Sequence, residues 1–481
     1  MAEVLGEWAL GPGRLYWQLA RHLTSAIERG VLAPGRRLPS ERALARTLHV
    51  SRGTVVAAYD LMVGQGQLER RQGSGTFVAS LPVPSLPVGR EGSTLVHRLV
   101  DRSDGPGGLI DLSISVLRSA SGLPAMSVTT ADLVKVVPDT GLSPSGLPAL
   151  REALARYLTR LGLGSEAHEI VVTTGAQQAI AVAISCWVRP GDPVLIDDPT
   201  YPGALSALIA AGARPIGISV DQEGIRLDEL ERGLDQRPSL IYLQSAAHSP
   251  IGSVLSHHRR VRLAELIERS HVPVIEDQSL AELTWSACPP PLASYCTRSS
   301  VVTVGSIDKL FWGGLRVGWA RAPAAVALRL ARVKATHDLG SSVLSQLMAV
   351  RLLEGLQTST FADDRRADLL ARYHVLARNL RTQLPDWEWS EPSGGLSIWA
   401  RIPEGQAMAF AQVALRCGVA VATADALSCS QRHTDRLRLS FSSRADELEE
   451  GVRRLATAWG VWHGQPRPAV SAHVPGRSGA R

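Results

Sequence analysis

Three residues around position 309 have the types and spacing needed to hold a phosphorylated aldehyde. Lys309 supplies a primary amine, which can form a Schiff base with an aldehyde. Ser306 precedes it by three residues and Arg316 follows it by seven, so a hydroxyl and a bidentate guanidinium are available for a phosphate. The alternative is an ordinary surface lysine, but the chain has only three lysines among its 51 Lys and Arg residues. Because arginine cannot act as a neutral amine near pH 7, a lysine retained here indicates chemistry that needs one.

Other residues fit pyridoxal phosphate, the cofactor with this chemistry. Gly175, Ala176 and Gln177 follow a strand-like run and open a helix, whose first backbone N–H groups can face a phosphate. Asp277 follows the apolar run of another strand and could keep a pyridine nitrogen protonated. Tyr201 could cover one face of the ring. Each has a plainer alternative: a turn glycine, a strand-end carboxylate or a half-buried tyrosine.

Arg438 is a candidate for binding a ligand carboxylate. It alternates with apolar neighbours in Leu437–Phe441, a pattern typical of a strand with one buried face. An inward-facing arginine must be paired, either with a ligand carboxylate or with a structural acidic residue.

The N-terminal residues predict three helices and a basic hairpin. The first helix has an apolar face at helical spacing, and Ser40 and Ser51 are the expected N-caps of the second and third. Two short strands follow, Leu68–Arg71 and Gly75–Val78, around a turn. Helices joined by a tight turn and followed by a hairpin indicate a winged helix-turn-helix.

In such a domain, a few residues are placed to touch DNA. Arg52 and Thr54 lie in the first turn of the third helix, where a recognition helix meets base edges, and Arg42 is placed for a phosphate. The alternative is a solvated basic face on a small helical domain. The expected DNA-binding residues are Arg42, Ser51, Arg52, Thr54, Arg70, Arg71, Ser74 and Gly75.

Charge and composition favour a nucleic-acid-binding head on a near-neutral body. Residues 1–78 contain ten arginines and six acidic residues, and residues 464–481 contain three arginines and no acid, whereas the whole chain is +6. We find no apolar run long enough for a transmembrane helix and no basic, apolar signal peptide. The five cysteines form no CxxC pair, so we expect no metal site, no disulfide framework and a cytoplasmic protein.

Four segments are predicted along the chain. Residues 12–78 form the winged helix-turn-helix, and residues 79–108, rich in proline and glycine, form a flexible linker. Residues 109–463 alternate helical stretches with short apolar runs, which predicts an α/β fold with a mostly parallel sheet. Residues 464–481 form a disordered tail.

These motifs resemble two known families. The head resembles the GntR-family winged helix, and the body resembles the fold-type I aminotransferases, which bind pyridoxal phosphate (PLP). The two in this order resemble the MocR-type transcriptional regulators. The motifs that carry the resemblance are Leu38-Pro39-Ser40-Glu41-Arg42, Val50-Ser51-Arg52-x-Thr54-Val55, Gly73–Val78, Gly146-x3-Leu150-Arg151, Thr174–Gln178, Asp198-Pro199-x-Tyr201, Pro250-x-Gly252, Glu276-Asp277, Ser306-x-x-Lys309, Arg316 and Leu437-Arg438-Leu439.

The resemblance implies a homodimer with PLP on Lys309 as a Schiff base. It also implies contacts to DNA from Arg42, Arg52, Thr54 and Gly75. The position of Ser249 lies near the phenolic oxygen of the cofactor in that family.

The chain departs from the aminotransferase pattern at four positions. Gly141-Leu142 stands where a tyrosine is usual, Ser249 where asparagine is common, Ser279 where tyrosine is common, and Asp308 where a serine precedes the lysine. Since contacts to the phenolic oxygen help to orient the cofactor, we expect weak or no transamination but retained PLP binding.

Three functions follow from these patterns. The first is a PLP-dependent, DNA-binding transcriptional regulator whose body senses an amino compound or PLP itself. The second is an active PLP-dependent aminotransferase carrying a DNA-binding domain. The third is a DNA-binding protein whose body has lost the cofactor and only dimerises.

Overall fold

The computed structural model describes residues 8, 15–28, 31–48, 50–64, 67–71, 74–79, 108–117, 123–124, 126–136, 140–297, 300–403, 407–430 and 432–463. The chain divides into two compact units, with Leu109 in the first and Ile110 in the second. Apart from residues 79 and 108, the segment predicted as a linker lies outside the described residues, as does the whole segment predicted as a disordered tail.

The first unit has the predicted three helices and hairpin. Its elements are α1 Leu15–Glu28, α2 Glu41–Leu48, α3 Arg52–Gly64, β1 Leu68–Arg71 and β2 Gly75–Val78. The strands pair antiparallel, with Leu68 opposite Val78.

Both predicted N-caps of this unit are confirmed. The Ser40 hydroxyl accepts from the Ala43 N–H at 3.3 Å, and the Ser51 hydroxyl accepts from the Thr54 N–H at 3.1 Å. Tyr59 of α3 is fully buried and donates to the Pro39 carbonyl at 3.0 Å, which ties α3 to the start of α2. The winged helix-turn-helix prediction is therefore confirmed.

The second unit alternates helices and strands. Its helices are α4 Thr130–Val136, α5 Pro148–Arg160, α6 Ala176–Trp187, α7 Pro202–Ala210, α8 Leu227–Leu234, α9 His257–Ser270, α10 Ala324–Asp338, α11 Val343–Gly355, α12 Phe361–Gln383, α13 Ala407–Arg416 and α14 Ala445–Trp462. Its strands are β3 Ile110–Asp111, β4 Ile170–Thr173, β5 Pro193–Asp198, β6 Arg214–Asp221, β7 Gly224–Ile225, β8 Leu240–Gln244, β9 Val274–Asp277, β10 Val301–Ser306, β11 Gly318–Arg321, β12 Ser397–Arg401, β13 Val419–Ala420, β14 Ala422–Thr423 and β15 Arg436–Ser440.

An eight-stranded sheet organises this unit, in the order β4-β11-β10-β9-β8-β5-β6-β7. The pairs β10/β9, β9/β8, β8/β5 and β5/β6 are parallel, which confirms the mostly parallel sheet. Strand β11 is antiparallel to both of its neighbours and was not predicted. The central strands are buried along almost their whole length, as expected for a sheet covered by helices on both faces.

A smaller sheet, β12-β15-β14, lies in the C-terminal part of this unit. All its pairs are antiparallel. No helix in the described part of the chain is both long and apolar enough to cross a lipid bilayer.

Candidate cofactor-binding and DNA-binding sites

A cavity of about 670 Å³ lies at the carboxyl ends of the central parallel strands. This volume is typical of small-molecule pockets, and the carboxyl edge of a parallel sheet is where such pockets form. The cavity brings together nine of the ten residues predicted to bind the cofactor or effector: Ala176, Gln177, Tyr201, Ser249, Asp277, Ser306, Lys309, Arg316 and Arg438. The tenth, Gly175, caps the N-terminus of α6 beside Arg316.

Lys309 follows β10 and places its amine inside the cavity. Its Nζ donates to the Ser115 carbonyl at 2.7 Å. Burial is the largest cause that lowers the pKa of Lys309 from 10.5 to about 8, the charge of Arg438 also lowers it, and Asp308 and Asp277 oppose the change. A much larger fraction of this amine is therefore neutral, and nucleophilic, at pH 7 than of an ordinary lysine.

Asp277 is held in one orientation at the end of β9. Its Oδ2 accepts from the Tyr242 hydroxyl at 2.8 Å and its Oδ1 accepts from the Ser279 N–H at 2.9 Å. Both Asp277 and Tyr242 are buried, and burial raises the pKa of Tyr242 well above 10, so the phenol remains a donor. Sequence reasoning missed Tyr242, whose only signal was a polar atom within an apolar strand.

Arg316 anchors the start of α6. Its guanidinium donates to the Thr174 carbonyl at 2.9 Å, and a Cβ at Gly175 would lie 2.6 Å from Nη2. A Cβ at Gly318 would lie 2.5 Å from the Gly175 carbonyl carbon, so β11 also packs directly on this turn. Arg316 and the first turn of α6 thus form one electropositive corner of the cavity.

Asp308 forms an ion pair with the guanidinium of Arg316. Its Oδ2 accepts from Arg316 Nη1 at 2.9 Å and its Oδ1 accepts from the Val317 N–H at 3.1 Å. Asp308 is only 5% exposed, and burial raises its pKa. The Ser306 hydroxyl donates to the Val317 carbonyl at 3.0 Å and accepts from the Asp308 N–H at 3.1 Å. The two predicted phosphate ligands therefore bind protein groups in this structure.

Arg438 faces the cavity from β15. It is 3% exposed and donates to the Ser113 carbonyl, and within the described residues no acidic side chain lies at ion-pair distance from it. Burial lowers the pKa of Arg438 to about 10, so the side chain remains cationic at neutral pH. Its capacity to pair with a carboxylate is thus available to a ligand.

Charges of both signs act on the Tyr201 hydroxyl. Its pKa is raised to about 12, mainly by burial and also by the negative charge of Asp277, while the positive charges of Arg316 and Arg438 oppose the increase. A Cβ at Gly203 would lie 2.5 Å from the Tyr201 ring, so a glycine is required for the ring to take this position. The ring is available to cover one face of a bound heterocycle.

The lining of the cavity fits PLP apart from one residue. Lys309, Asp277 and Tyr201 supply the amine, the carboxylate and the aromatic face. The buried oxygens Gln177 Oε1, Ser279 Oγ and Ser115 Oγ have no hydrogen-bond partner in the described structure, which is typical of groups that bind a ligand. Asp308 does not fit, because a carboxylate on the phosphate arginine repels a phosphate. Ser249 lines the cavity, with its backbone N–H and carbonyl bound to the Gln244 side chain.

The predicted DNA-contacting residues differ in their availability. Arg42 and Arg52 are exposed, and neither has an ion-pair partner within the described part of the first unit. Arg70 pairs with Asp60 at 2.7 Å, and Arg71 pairs with a neighbouring glutamate. Arg42 and Arg52 are therefore available to contact phosphates or bases. Arg70 and Arg71 would first have to break their ion pairs with acidic side chains.

The remaining predicted DNA contacts lie at the start of α3 and in the hairpin. The hydroxyls of Ser51 and Thr54 lie 2.9 Å apart and hydrogen-bond to each other. Ser74 and Gly75 are exposed, and Gly75 has a φ of 112°, which favours glycine. A Cβ at Gly75 would lie 3.1 Å from Arg37 Nε, which identifies Arg37 as a basic neighbour of the hairpin that sequence reasoning missed.

Potential metal ligands are not clustered within the described ranges of the chain. The described residues contain no group of three or more His, Cys, Asp or Glu side chains that could hold a metal ion.

Each of the two units matches the model of a known protein family. Residues 109–455 match the model of aminotransferase class I and II, and residues 15–78 match that of the bacterial regulatory proteins of the gntR family. An uncharacterized HTH-type transcriptional regulator, YdfD of Bacillus subtilis, is 27% identical over 92% of this chain and 95% of its own length. The probable rhizopine catabolism regulatory protein MocR of Rhizobium meliloti is 29% identical, over 80% of this chain and 81% of its own.

A solved structure supports the assignment of the second unit. The α-aminoadipate aminotransferase LysN of Thermus thermophilus, complexed with N-(5'-phosphopyridoxyl)-L-leucine, is 25% identical, with a TM-score of 0.69 over 78% of this chain and 97% of that one. The chain therefore belongs to the aminotransferase class I and II family and carries a gntR-family regulatory domain at its N-terminal end, the combination that its resemblance to the MocR-type transcriptional regulators predicted.

Proposed function

We propose that this protein is a PLP-dependent transcriptional regulator, in which the aminotransferase-like unit binds an amino compound and the first unit binds double-stranded operator DNA. The observation that carries the proposal is the combination of a half-buried Lys309 with a lowered pKa, Asp277 and Arg438 in one cavity, on a chain that also has a gntR-family domain.

Different residues of the cavity would bind different parts of the cofactor. PLP supplies an aldehyde that condenses with amines and a protonated pyridine ring that withdraws electrons. Lys309 would provide the amine that holds the aldehyde, and Asp277, which accepts a hydrogen bond from Tyr242, would pair with the ring nitrogen. Tyr201 would cover the ring, while Ser306, Arg316 and the backbone of Gly175, Ala176 and Gln177 would bind the phosphate.

Arg438 indicates the chemical class of the effector. A buried arginine without an acidic partner in the described structure favours a ligand with a carboxylate, and the amine of that ligand would compete with Lys309 for the cofactor. Ser249 and Ser279 line the cavity and would offer only small hydroxyls to the phenolic oxygen of the cofactor. We therefore expect the effector to be an amino compound with a carboxylate, and any turnover to be slow.

Regulation requires that effector binding change the state of the DNA-binding units. A ligand can shift such an equilibrium only as far as its affinities for the two states differ. We further propose that the protein acts as a homodimer in the cytoplasm, so that two gntR-family units read two half-sites. Arg42, Ser51, Arg52, Thr54, Arg70, Arg71, Ser74 and Gly75 form the proposed DNA contacts.

Operator binding measured with and without PLP tests the proposal. Full-length protein is titrated against DNA from its own promoter region, alone, with PLP, and with PLP plus a panel of amino acids. We expect a sequence-specific complex whose affinity changes with one of these additions, and no such change in Lys309→Ala. Lys135→Ala, which removes an exposed lysine outside the cavity, is the matched control.

Two other outcomes identify the alternatives. Turnover of an amino donor with a keto acid at ordinary enzyme rates, about 1 to 10³ per second, would make the protein an active aminotransferase. Operator binding with no PLP uptake at all would leave a DNA-binding protein whose second unit does not use the cofactor.

A further inference from the structure

Asp308 forms an ion pair with Arg316, the arginine expected to bind a phosphate in this cavity. Asp308 is adjacent to Lys309 in sequence, and its carboxylate lies 2.9 Å from Arg316 Nη1. The main-chain N–H of Val317 also donates to it, at 3.1 Å. Two donors therefore hold the carboxylate on the arginine, and the side chain is 5% exposed.

Arg316 is also the main cation of the corner that would receive an anion. It lies against Gly175 at the start of α6, and Ala176 and Gln177 of the first helical turn line the same cavity. Backbone N–H groups at a helix start favour anions, and a guanidinium adds two directed donors. This corner binds a phosphate well only when Arg316 is free to meet it.

A buried carboxylate and a phosphate cannot both take the same guanidinium at full strength. The phosphate carries between one and two negative charges at neutral pH, and like charges in a partly buried site repel. Half of the Arg316 side chain is exposed, so solvent weakens the ion pair, but Asp308 itself is shielded from solvent. Asp308 must turn away, accept a proton, or share the arginine before the phosphate is held.

We propose that Asp308 is an internal competitor for the phosphate arginine, so that this cavity discriminates weakly between phosphorylated and unphosphorylated forms of the cofactor and releases PLP readily. The inference rests on the proposed function, since it concerns the same cavity. It makes the bound fraction of PLP, and with it the fraction of protein able to bind the amino effector, respond to PLP concentration, unlike that of an enzyme with a permanently bound cofactor.

Comparing PLP with pyridoxal isolates the phosphate. Pyridoxal has the same ring and aldehyde but no phosphate, and its free 5′-hydroxyl closes on the aldehyde as a hemiacetal. Its affinity is therefore expressed throughout per free aldehyde, the form that Lys309 and Asp277 treat like that of PLP. Cofactor-free, full-length protein is titrated with each compound, and binding is followed by absorbance near 400 nm and by quenching of tryptophan fluorescence. In the wild-type chain we expect PLP to bind no more than about tenfold more tightly than pyridoxal.

Two substitutions then remove the competing charge. Asp308→Asn keeps the shape of the side chain, and Asp308→Ser introduces a small hydroxyl. We expect both to bind PLP about tenfold more tightly than wild type, with pyridoxal affinity changed by less than about twofold. Asp386→Asn removes an exposed carboxylate outside the cavity and should change neither affinity. Thermal unfolding of each variant shows whether it is folded.

The outcomes separate this inference from the proposed function. Unchanged or weaker PLP affinity in both Asp308 variants overturns the role of Asp308 while the cavity remains a PLP site. A wild-type preference of roughly 1,000-fold or more for PLP over pyridoxal overturns it without any variant. If neither compound binds wild type or variants, the proposed function and this inference fail together.

Discussion

The pH dependence of cofactor attachment gives a quantitative test of the environment of Lys309. Its pKa is lowered from 10.5 to about 8, so roughly a tenth of the amine is neutral at pH 7, against about 0.03% for an ordinary lysine. The neutral form is the one that attaches the aldehyde, and it increases as pH rises. We therefore expect the rate of PLP uptake to rise with pH, with a midpoint near 8, and to level off at higher pH; at pH 7 the neutral fraction is roughly 300 times that of an ordinary lysine.

Replacing Arg438 should move the midpoint of the pH dependence of PLP uptake, which reports the pKa of Lys309, in a defined direction. Burial is the largest cause of the lowered Lys309 pKa, and the positive charge of Arg438 is the next. Arg438→Met removes the charge and keeps an unbranched chain, so the Lys309 pKa rises and the midpoint moves to higher pH. Arg401→Met is the matched control, because Arg401 lies on the neighbouring strand β12 and pairs with Glu388 and Asp435 instead.

The assay is a stopped-flow measurement of absorbance near 400 nm after mixing cofactor-free protein with PLP, repeated from about pH 6 to 10. A midpoint near 10 in the wild-type chain would show that burial does not weaken the Lys309 cation as described. A midpoint that moves to lower pH in Arg438→Met would refute the electrostatic reasoning, since loss of a nearby positive charge cannot favour the neutral amine.

Three further predictions concern DNA binding and stability. Arg52→Ala should lower operator affinity by about 1–3 kcal/mol and relax base preference at one position, as measured by titration against a set of single-base operator variants. Arg42→Ala should instead weaken all sequences alike and reduce the slope of log K against log salt by about 0.9; identical behaviour of the two variants would refute this division of roles. Gly318→Ala should lower the free energy of unfolding by about 1–3 kcal/mol, because its Cβ would lie 2.5 Å from backbone at the start of α6. Gly164→Ala, with open space around its Cβ, is the control in chemical denaturation, and equal loss in both would contradict the close packing of β11.

Much of the fold could be predicted because it depends on local patterns. Short apolar runs predicted the buried parallel strands, and serine followed by an amphipathic run predicted the N-caps of α2 and α3. Strand β11 was missed because Gly318–Arg321 is only four residues long and has a glycine at its start, so it lacks a clear period. Asp277 was predicted to end its strand, and it is the last residue of β9.

The candidate site could be predicted only as far as chain topology allows. Asp277 ends β9 and Lys309 follows the neighbouring parallel strand β10, and the carboxyl ends of these strands meet at one edge of the sheet. Arg438 belongs to a different sheet, so spacing along the chain could not place it beside Lys309. The contacts of Tyr242 with Asp277 and of Asp308 with Arg316 depend on side-chain packing, which no sequence period reports.

The central claim is that Lys309 is the residue that holds PLP, and it can be tested by covalent trapping. Purified protein is incubated with PLP, reduced with borohydride and digested, and the peptides are weighed by mass spectrometry. The chain has only Lys135, Lys309 and Lys334 as candidate lysines, and Lys334 is fully buried and pairs with Asp338. We predict that the phosphopyridoxyl mass is found on the Lys309 peptide; its absence there, or its presence on Lys135 or Lys334 instead, would contradict the claim.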